Sequence, residues 1–498
     1  MYNIINLIIH KTKMNNQHKI LVHDRDYVKY EYYNACTLSK QDLSLNEPYI
    51  HKLFSNDVFK IDNKKNVSLV HSSTRSMPII PGILILNNNK TYGNYKNKKL
   101  YRCIPDDKRL PIFLIPYAQK SLGFNKNIEN KFIIFKFYSW DFKHPYGQIV
   151  NTLGDVSKLD LFYEYQLYCK SLYASIQEFT KETTRVLKIN TQEKIIKNII
   201  NNNNYEDRTD YKIFTIDSSA TTDFDDAVSI KKLNDEEYML SIYISNVPLW
   251  INELQLWNSF SQRISSIYLP DRKRPMLPTI LSECLCSLVQ KETRFAFTLD
   301  LKIKDDIILE HSFKNTIIKV YKNHVYESDE LINDNNYKDI LKVTKNISKK
   351  YKYLNNVKNS FDLITYLMIL TNYYSALSMI NYKNGIYRSS KISSETIIPD
   401  HIPEDVEKFL KIWNSSSSSY SLYDGKDNHD MLELESYIHI TSPIRRLVDL
   451  LNIYQIQVNL ELISVNYENK EFYKNWVDKL EYINTTMRSI RKVQNDCS

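Results

Sequence analysis

Four aspartates, Asp217, Asp223, Asp225 and Asp226, fall within ten positions of one another in the run Thr215-Ile-Asp-Ser-Ser-Ala-Thr-Thr-Asp-Phe-Asp-Asp-Ala-Val-Ser-Ile230. Carboxylates held that close repel one another, and the repulsion either raises some of their pKa values or calls for cations. Oxygen donors with no His or Cys among them suit a hard divalent ion, Mg2+ or Mn2+. A solvated acidic turn and a calcium loop are the competing readings. The calcium loop asks for Gly at its sixth position and Glu at its twelfth, and neither is here. The flanking stretches, Lys212 to Ile216 and Ala227 to Ile230, are β-prone. In an extended chain Asp223 and Asp225 share one face and Asp226 turns to the other, while a loop from Ser218 to Thr222 brings Asp217 back beside them.

The rest of the composition narrows the chemistry. With 498 residues there is room for about three domains. Hydrophobic residues at 43% and aromatics at 12% can build cores, which excludes global disorder. Only 7 residues are glycine, and neither GxxxxGK[ST] nor GxGxxG occurs, so a nucleotide-cradling glycine loop is excluded. The net charge of +8 survives the acidic cluster, which leaves the remaining surface more basic and suited to a polyanion, or simply soluble. Abundant Asn, Lys, Ile and Tyr (38 tyrosines) reads as the imprint of AT-rich coding. Cys36, Cys103, Cys169, Cys284, Cys286 and Cys497 form no disulfide ladder or zinc spacing, which points to a reducing, intracellular, cytoplasmic setting. The apolar run Tyr2 to Ile9 is too short for a membrane span, and no other stretch is expected to approach twenty apolar residues.

Several elements must position the aspartates. Short β-type runs from His51 to Ile115, then Phe132 to Trp140, are separated by polar or Pro-marked turns as in small β-barrels. Between Asn87 and Lys99, Tyr92 and Tyr95 stand among lysines, a composition that suits stacked bases and phosphates, or equally a solvated hairpin tip. Periodicity predicts helices over Leu159 to Phe179 and Thr191 to Ile200, with Asn201 to Asn204 as a linker. Strands follow from Tyr211 to Val247, then a helix Leu249 to Ser265, a strand Phe295 to Lys302 and a long helix Phe361 to Ile380. Ser415 to Ser419 reads as a loop, and Ile444 to Leu462 and Phe472 to Arg491 as closing helices.

Placed in order along the chain, four blocks resemble the ribonuclease II/ribonuclease R (RNB) family, which includes the catalytic subunit of the eukaryotic exosome. The first is Thr-Ile-Asp217…Asp223-Phe-Asp225-Asp226-Ala227. The second is Ile267-Tyr-Leu-Pro-Asp-Arg-Lys-Arg-Pro-Met-Leu-Pro278, followed by Leu281-Ser282 and Cys286-Ser287-Leu288. The third is Gly385-Ile-Tyr-Arg388, and the fourth Tyr437-Ile-His439-Ile-Thr-Ser-Pro-Ile-Arg445-Arg446, with Asp449 beyond. Tyr101 to Pro111 and Pro145 to Gly154 are similar to the family's cold-shock-type OB folds. The resemblance implies an α+β chain: an RNB-type catalytic domain, a mixed β-sheet surrounded by helices, preceded by small OB-fold β-barrels. The division expected is 1–44 unassigned, 45–160 an OB-fold region of two small barrels, 161–210 a helical connection and 211–498 the RNB domain, with no C-terminal OB fold.

The activity the resemblance implies is hydrolytic 3′→5′ removal of nucleoside 5′-monophosphates from single-stranded RNA. Two Mg2+, or Mn2+, would be held by Asp217, Asp223, Asp225 and Asp226, with Asp225 also placing the attacking water. Arg445 would clamp the scissile phosphate and Arg446 would bind RNA beside it, though an ion pair with Asp449 competes for Arg445. Pro443 would open a helix whose amides favour phosphate. Tyr268 matches the position that stacks on a base at the 3′ end. His439 reads as a packed histidine. The chain departs from the family where Asn246 and Leu447 stand for the usual Asp and aromatic. Asn246 in particular keeps a second class open, a catalytically silent RNA-binding or regulatory protein on the same scaffold. A phosphodiesterase acting on DNA or a small nucleotide is the third.

Overall fold

The computed structural model describes residues 17–498 apart from 44, 46, 88–89, 119–127, 203–204, 352–356, 390–417 and 426–433. It divides into two compact units, Met1–Tyr173 with Asn495–Ser498, and Ala174–Gln494.

In the first unit one sheet runs, in spatial order, Lys40–Gln41, Tyr30–Asn34, Gln17–Val22, Val58–Ile61 and Val67–His71. Part of the segment left unassigned from sequence is thus sheet: Gln17–Val22 pairs with both Tyr30–Asn34 and Val58–Ile61. The alternation behind it is short, Ile20 and Val22 buried with Leu21 between them half-buried. In the second sheet Ile80–Leu84, Lys131–Ser139, Tyr146–Asp155, Phe113–Tyr117 and Lys98–Pro105 pair in turn. Ile80–Leu84 then pairs back to Lys98–Pro105, closing a five-strand ring. Phe54, Phe59, Phe113 and Phe135 are buried in a single cluster that both sheets share.

The second unit is built on a closed barrel of five strands, Glu206–Asp217, Asp226–Lys232, Glu237–Ser245, Thr293–Lys304 and Ile307–Val325. Neighbours run antiparallel, and the first and last close the ring in parallel with Asp217 opposite Val325. Sequence reading expected a mixed sheet and assigned nothing to Ile307–Val325, because His311, Lys314, Asn315, Lys319, Lys322 and Asn323 dilute its β pattern. Cross-strand rows sort the two faces. Val228, Ile242 and Leu299 lie opposite one another and share a hydrophobic cluster with the helices. Ala227 and Tyr243, one position along, belong to a separate cluster with Leu288 and Val320.

Helix Ser360–Tyr382 starts at Asn359, whose side chain accepts the Asp362 N–H, and ends where Lys383 turns left-handed. Leu363, Leu367 and Leu370 are fully buried against the barrel's outer row, each burial contributing roughly 1.5–3 kcal/mol. By length and composition this helix could cross a membrane, contrary to the expectation of no such stretch, but 61% of its apolar window is buried inside the unit.

Other helices are shorter than their periodicity predicts. Leu159 to Phe179 breaks into Leu159–Cys169 and Gln177–Ile189, with Ser171 at φ 58 between them. Leu249 to Ser265 reduces to Val247–Glu253 and a single turn at Trp257–Ser259, since Gln255 takes φ 53. The closing helices are Leu447–Asn459, Tyr467–Val477 and Leu480–Cys497. Asn203–Asn204 and Ser415–Ser417 lie outside the described residues, and Ser419 opens a strand that pairs with Ile386–Ser389.

Candidate active site

Asp217 ends the first barrel strand and Asp226 begins the second. Residues 218–225 between them are a loop, so strand alternation does not extend back to Asp223 and the expectation that Asp226 faces away is corrected. All four carboxylates line one cavity of about 640 Å³, together with Tyr268, Lys273, Glu283, Tyr326 and Arg445. The loop is held by main-chain clamps. Ser287 Oγ accepts the Phe224 N–H at 2.9 Å and donates to Thr222 O at 3.2 Å. The Leu288 N–H donates to Phe224 O at 3.0 Å, and the Ser245 N–H to Asp225 O at 2.8 Å. The Cys286-Ser287-Leu288 segment therefore serves as a brace for the acidic loop.

Asp225 is 5% exposed. Its Oδ1 accepts the Ile444 N–H at 2.9 Å and its Oδ2 the Arg445 Nε–H at 3.3 Å. The helix expected from Pro443 begins only at Leu447. Ser442 to Arg445 is a turn in which the N–H groups of Arg445 and Arg446 both donate to Ser442 O, and the Ile444 amide is taken by Asp225. Arg445, its side chain 48% exposed, lines the cavity and donates from Nη2 to Ser442 Oγ at 2.8 Å. The ion pair with Asp449 belongs to its neighbour: Arg446 Nη2 donates to Asp449 Oδ1 at 2.8 Å. The same Oδ1 accepts the Ser442 N–H at 2.8 Å, and Asp449 is fully buried. Arg446 thus braces the turn from behind and is not among the cavity's lining residues.

Tyr268 and Lys273 face each other across a two-strand hairpin, Ile267–Tyr268 with Lys273–Arg274. Arg274 fastens the turn with two bonds of 2.9 Å to the carboxylate of Asp271. Tyr268 is 41% exposed at the cavity. Lys273 Nζ donates to Asp223 Oδ1 and Thr222 Oγ1, each at 3.1 Å, and pairs with Glu283 Oε1 at 3.0 Å. Sequence reasoning missed Lys273, Glu283 and Tyr326. Lys273 sits inside a block it quoted, while Tyr326 follows the unassigned strand, where its N–H donates to Asp217 O at 3.0 Å.

Burial dominates the electrostatics. It pushes Asp217 up to about 6, with Asp223 adding and Thr215 and Arg445 opposing. It pushes Asp225 up to about 7 despite Arg445 and the Ile444 N–H. Asp226 is raised well above the carboxylate range by burial and by Asp217 and Asp225. Tyr268 is pushed up to about 12, by burial and then Asp223. Asp217 Oδ2 is buried without a hydrogen-bond partner. Raised acids, an unpartnered oxygen and an all-oxygen donor set fit a hard divalent ion. Among the described residues no three His, Cys, Asp or Glu converge closely enough to enclose an ion alone. Mg2+ tolerates that, since it commonly takes one or two carboxylates plus water and substrate oxygens.

Asn246 lies elsewhere, fully buried in a ring of three amides. Its Nδ2 donates to Asn315 Oδ1 at 2.9 Å, Asn315 Nδ2 to Gln457 Oε1 at 3.1 Å, and Gln457 Nε2 back to Asn246 Oδ1 at 3.0 Å. His439 is buried with Nδ1 2.9 Å from the Tyr420 hydroxyl. The Gly385 block is scaffold: Ile386 exchanges two 2.9 Å bonds with the Asn452 side chain. Gly385 itself takes φ +100, and a Cβ there would lie 2.9 Å from Met379 Cε. In the first unit Tyr95, Lys96, Lys98, Tyr138 and Tyr146 line a cleft of about 500 Å³, with the Tyr95 hydroxyl donating to that of Tyr138 at 3.1 Å.

Residues 205–363 match the RNB domain, and residues 100–163 match the Dis3-like cold-shock domain 2. The barrel and the start of the long helix thus fall in a stretch similar to the RNB domain, preceded in the chain by a stretch similar to an OB-type cold-shock domain. More particularly, the chain resembles ribonuclease R. It is 30% identical to ribonuclease R of Thermotoga maritima over 189 residues, which is 37% of this chain and 26% of that protein. It spans 39% and 49% of ribonuclease R from Ureaplasma parvum and Buchnera aphidicola. Its fold matches Mycoplasma genitalium RNase R, solved with ribose-methylated single-stranded RNA, at TM-score 0.71 and 16% identity over 97% of this chain and 85% of that one. It matches the yeast pseudonuclease Ssd1 at TM-score 0.61 and 14% identity over 100% of this chain and 74% of that one.

Proposed function

We propose that the protein is a hydrolytic 3′→5′ exoribonuclease that shortens single-stranded RNA to nucleoside 5′-monophosphates with the help of Mg2+ or Mn2+. The observation that carries this is the convergence of Asp217, Asp223, Asp225, Asp226, Arg445 and Tyr268 on one cavity. Asp217 and Asp226 would hold the cation, with Asp223 and Asp225 lining the same cavity. Held there, a divalent ion would supply neutralising charge to the phosphodiester and to its leaving 3′-oxygen. Asp225, fixed by Ile444 and Arg445, orients the attacking water. Arg445 reaches the scissile phosphate with the N–H groups it does not share with Asp225 and Ser442. Tyr268 stacks on the terminal base. Arg446 supports the turn that carries Arg445 and does not itself meet RNA. The setting is a reducing intracellular one, in keeping with six cysteines spaced as neither a disulfide ladder nor a zinc site.

A silent RNA-binding protein is the alternative, favoured by the cationic partners already on Asp223 and Asp225. Against it, Asn246 belongs to a buried amide ring and takes no carboxylate from the cavity. Digestion of 5′-labelled single-stranded RNA with Mg2+, beside Asp225→Asn, separates the two. A ladder shortening from the 3′ end and lost in the variant supports the nuclease. RNA that is bound but left intact refutes it.

A further inference from the structure

Positive charge is shared unevenly among the cavity's acids. Lys273 Nζ touches Asp223 at 3.1 Å and Glu283 at 3.0 Å, and Arg445 Nε touches Asp225 at 3.3 Å. Asp217 and Asp226 have no Lys or Arg within ion-pair reach among the described residues, and Asp217 Oδ2 has no hydrogen-bond partner at all. The acids thus fall into a set in direct contact with a cation, Asp223 and Glu283 with Lys273 and Asp225 with Arg445, and a set without such a contact, Asp217 with Asp226.

Lys273 is not a loose surface chain. Its side chain is 20% exposed, and its ammonium is held from three directions by Asp223, Glu283 and Thr222. Its backbone lies in a hairpin fastened by Arg274 and Asp271 and set opposite Tyr268. A second divalent ion at Asp223 would have to enter the space this ammonium fills and face its charge at close range. An ion at Asp217 and Asp226 meets no ammonium or guanidinium in contact with those carboxylates among the described residues.

We propose that Lys273 is a built-in cation of this cavity: its ammonium takes the place of a second divalent ion at Asp223 and Glu283, so that the chain binds a single divalent ion, at Asp217 and Asp226. This rests on the metal-binding part of the function proposed above. It gives the chain a fixed positive charge beside the stacking ring of Tyr268, carried on the same hairpin.

The test counts ions and needs no turnover. The full chain is titrated with Mn2+, bound ion is read by electron paramagnetic resonance, and only ions displaced by excess Mg2+ are counted, the first being identified by its loss in Asp217→Asn. Wild type binds one and Lys273→Met binds two. Lys273→Arg, which keeps the charge, binds one, and Glu283→Gln added to Lys273→Met returns the count to one. Circular dichroism checks that each variant is folded, and Lys273→Gln replaces Lys273→Met if that one is not. Two ions in the wild type, or no gain in the neutral variant, overturns the proposal. No ion in either overturns the metal reading with it. A wild type that binds one ion, gains one in Lys273→Met and yet leaves RNA intact upholds the proposal and removes only the nuclease reading.

Discussion

Replacing Asn246 by Asp places a carboxylate in the amide ring. The ring gives each member one donor and one acceptor. An ionised carboxylate substituted there would set an oxygen against Asn315 Oδ1 and carry a charge in a fully buried position with no cation beside it. A protonated one could still donate, so the site would hold the acid neutral. With a folded pKa about three units above an unfolded value near 3.9, the change costs about 4 kcal/mol at pH 8 and under about 2 kcal/mol at pH 5. The sign follows from linkage: a raised folded pKa gives stability that is present at low pH and lost as pH rises through the folded value. Urea unfolding of Asn246→Asp and of the parent, followed by tryptophan fluorescence at both pH values, reads the difference of differences, about 2.5 kcal/mol. Trp250, buried in the helix that Asn246 caps, reports locally. A loss below about 1 kcal/mol at pH 8, or one independent of pH, would refute the buried-ring account. RNA hydrolysis stronger in the variant would show that Asn246 acts on the cavity after all.

Four further outcomes are expected. Asp217 and Asp225 have folded values of about 6 and about 7 against an ordinary 3.8, so without metal their contribution to stability is full below about pH 4 and lost as pH rises through 6 and 7. Mn2+ binding strengthens over that same window, and calorimetry at about pH 5.5 and about pH 8 checks both signs. Arg445→Lys lowers kcat by about 10²-fold with stability within about 0.5 kcal/mol, whereas Arg446→Ala, which strands the buried Asp449, loses about 3–5 kcal/mol of stability; single-turnover kinetics and urea unfolding read the two. Tyr268→Ala weakens RNA binding by about 1–3 kcal/mol while Tyr268→Phe leaves it nearly unchanged, as filter binding would measure. Ser287→Ala leaves the Phe224 N–H without its acceptor and costs about 1–3 kcal/mol in thermal unfolding.

Much of the site was legible because its residues cluster in the chain: the aspartates span ten positions, and Tyr268 and Arg445 stand in recognisable blocks. Their roles within a block were less legible. Arg445 and Arg446 are adjacent and chemically alike, and only the turn at Ser442, which points one into the cavity and the other at Asp449, tells them apart. Lys273 was invisible for a related reason, since a lysine in a basic run gives no sign that two carboxylates from other segments will close on it. The strands Gln17–Val22 and Tyr30–Asn34 and the last barrel strand escaped because their runs are short, or diluted by polar residues whose partners, such as Gln457 for Asn315, lie over a hundred positions away.

The turn that carries Arg445 is joined to the strand before Tyr268 by main-chain atoms. The Ser266 N–H donates to Arg445 O at 2.9 Å, and the Leu447 N–H donates to Ile264 O at 2.9 Å, across a separation of about 180 positions. Peptide groups are indifferent to which side chains they bear. Mutation can therefore exchange residues at 264 and 447 for others of similar bulk without parting the two segments, but inserting or deleting one residue would shift every partner and swing Arg445 out of the cavity. Such a seam constrains length far more than letters, which lets the arrangement of a cavity outlast much of the spelling that encodes it.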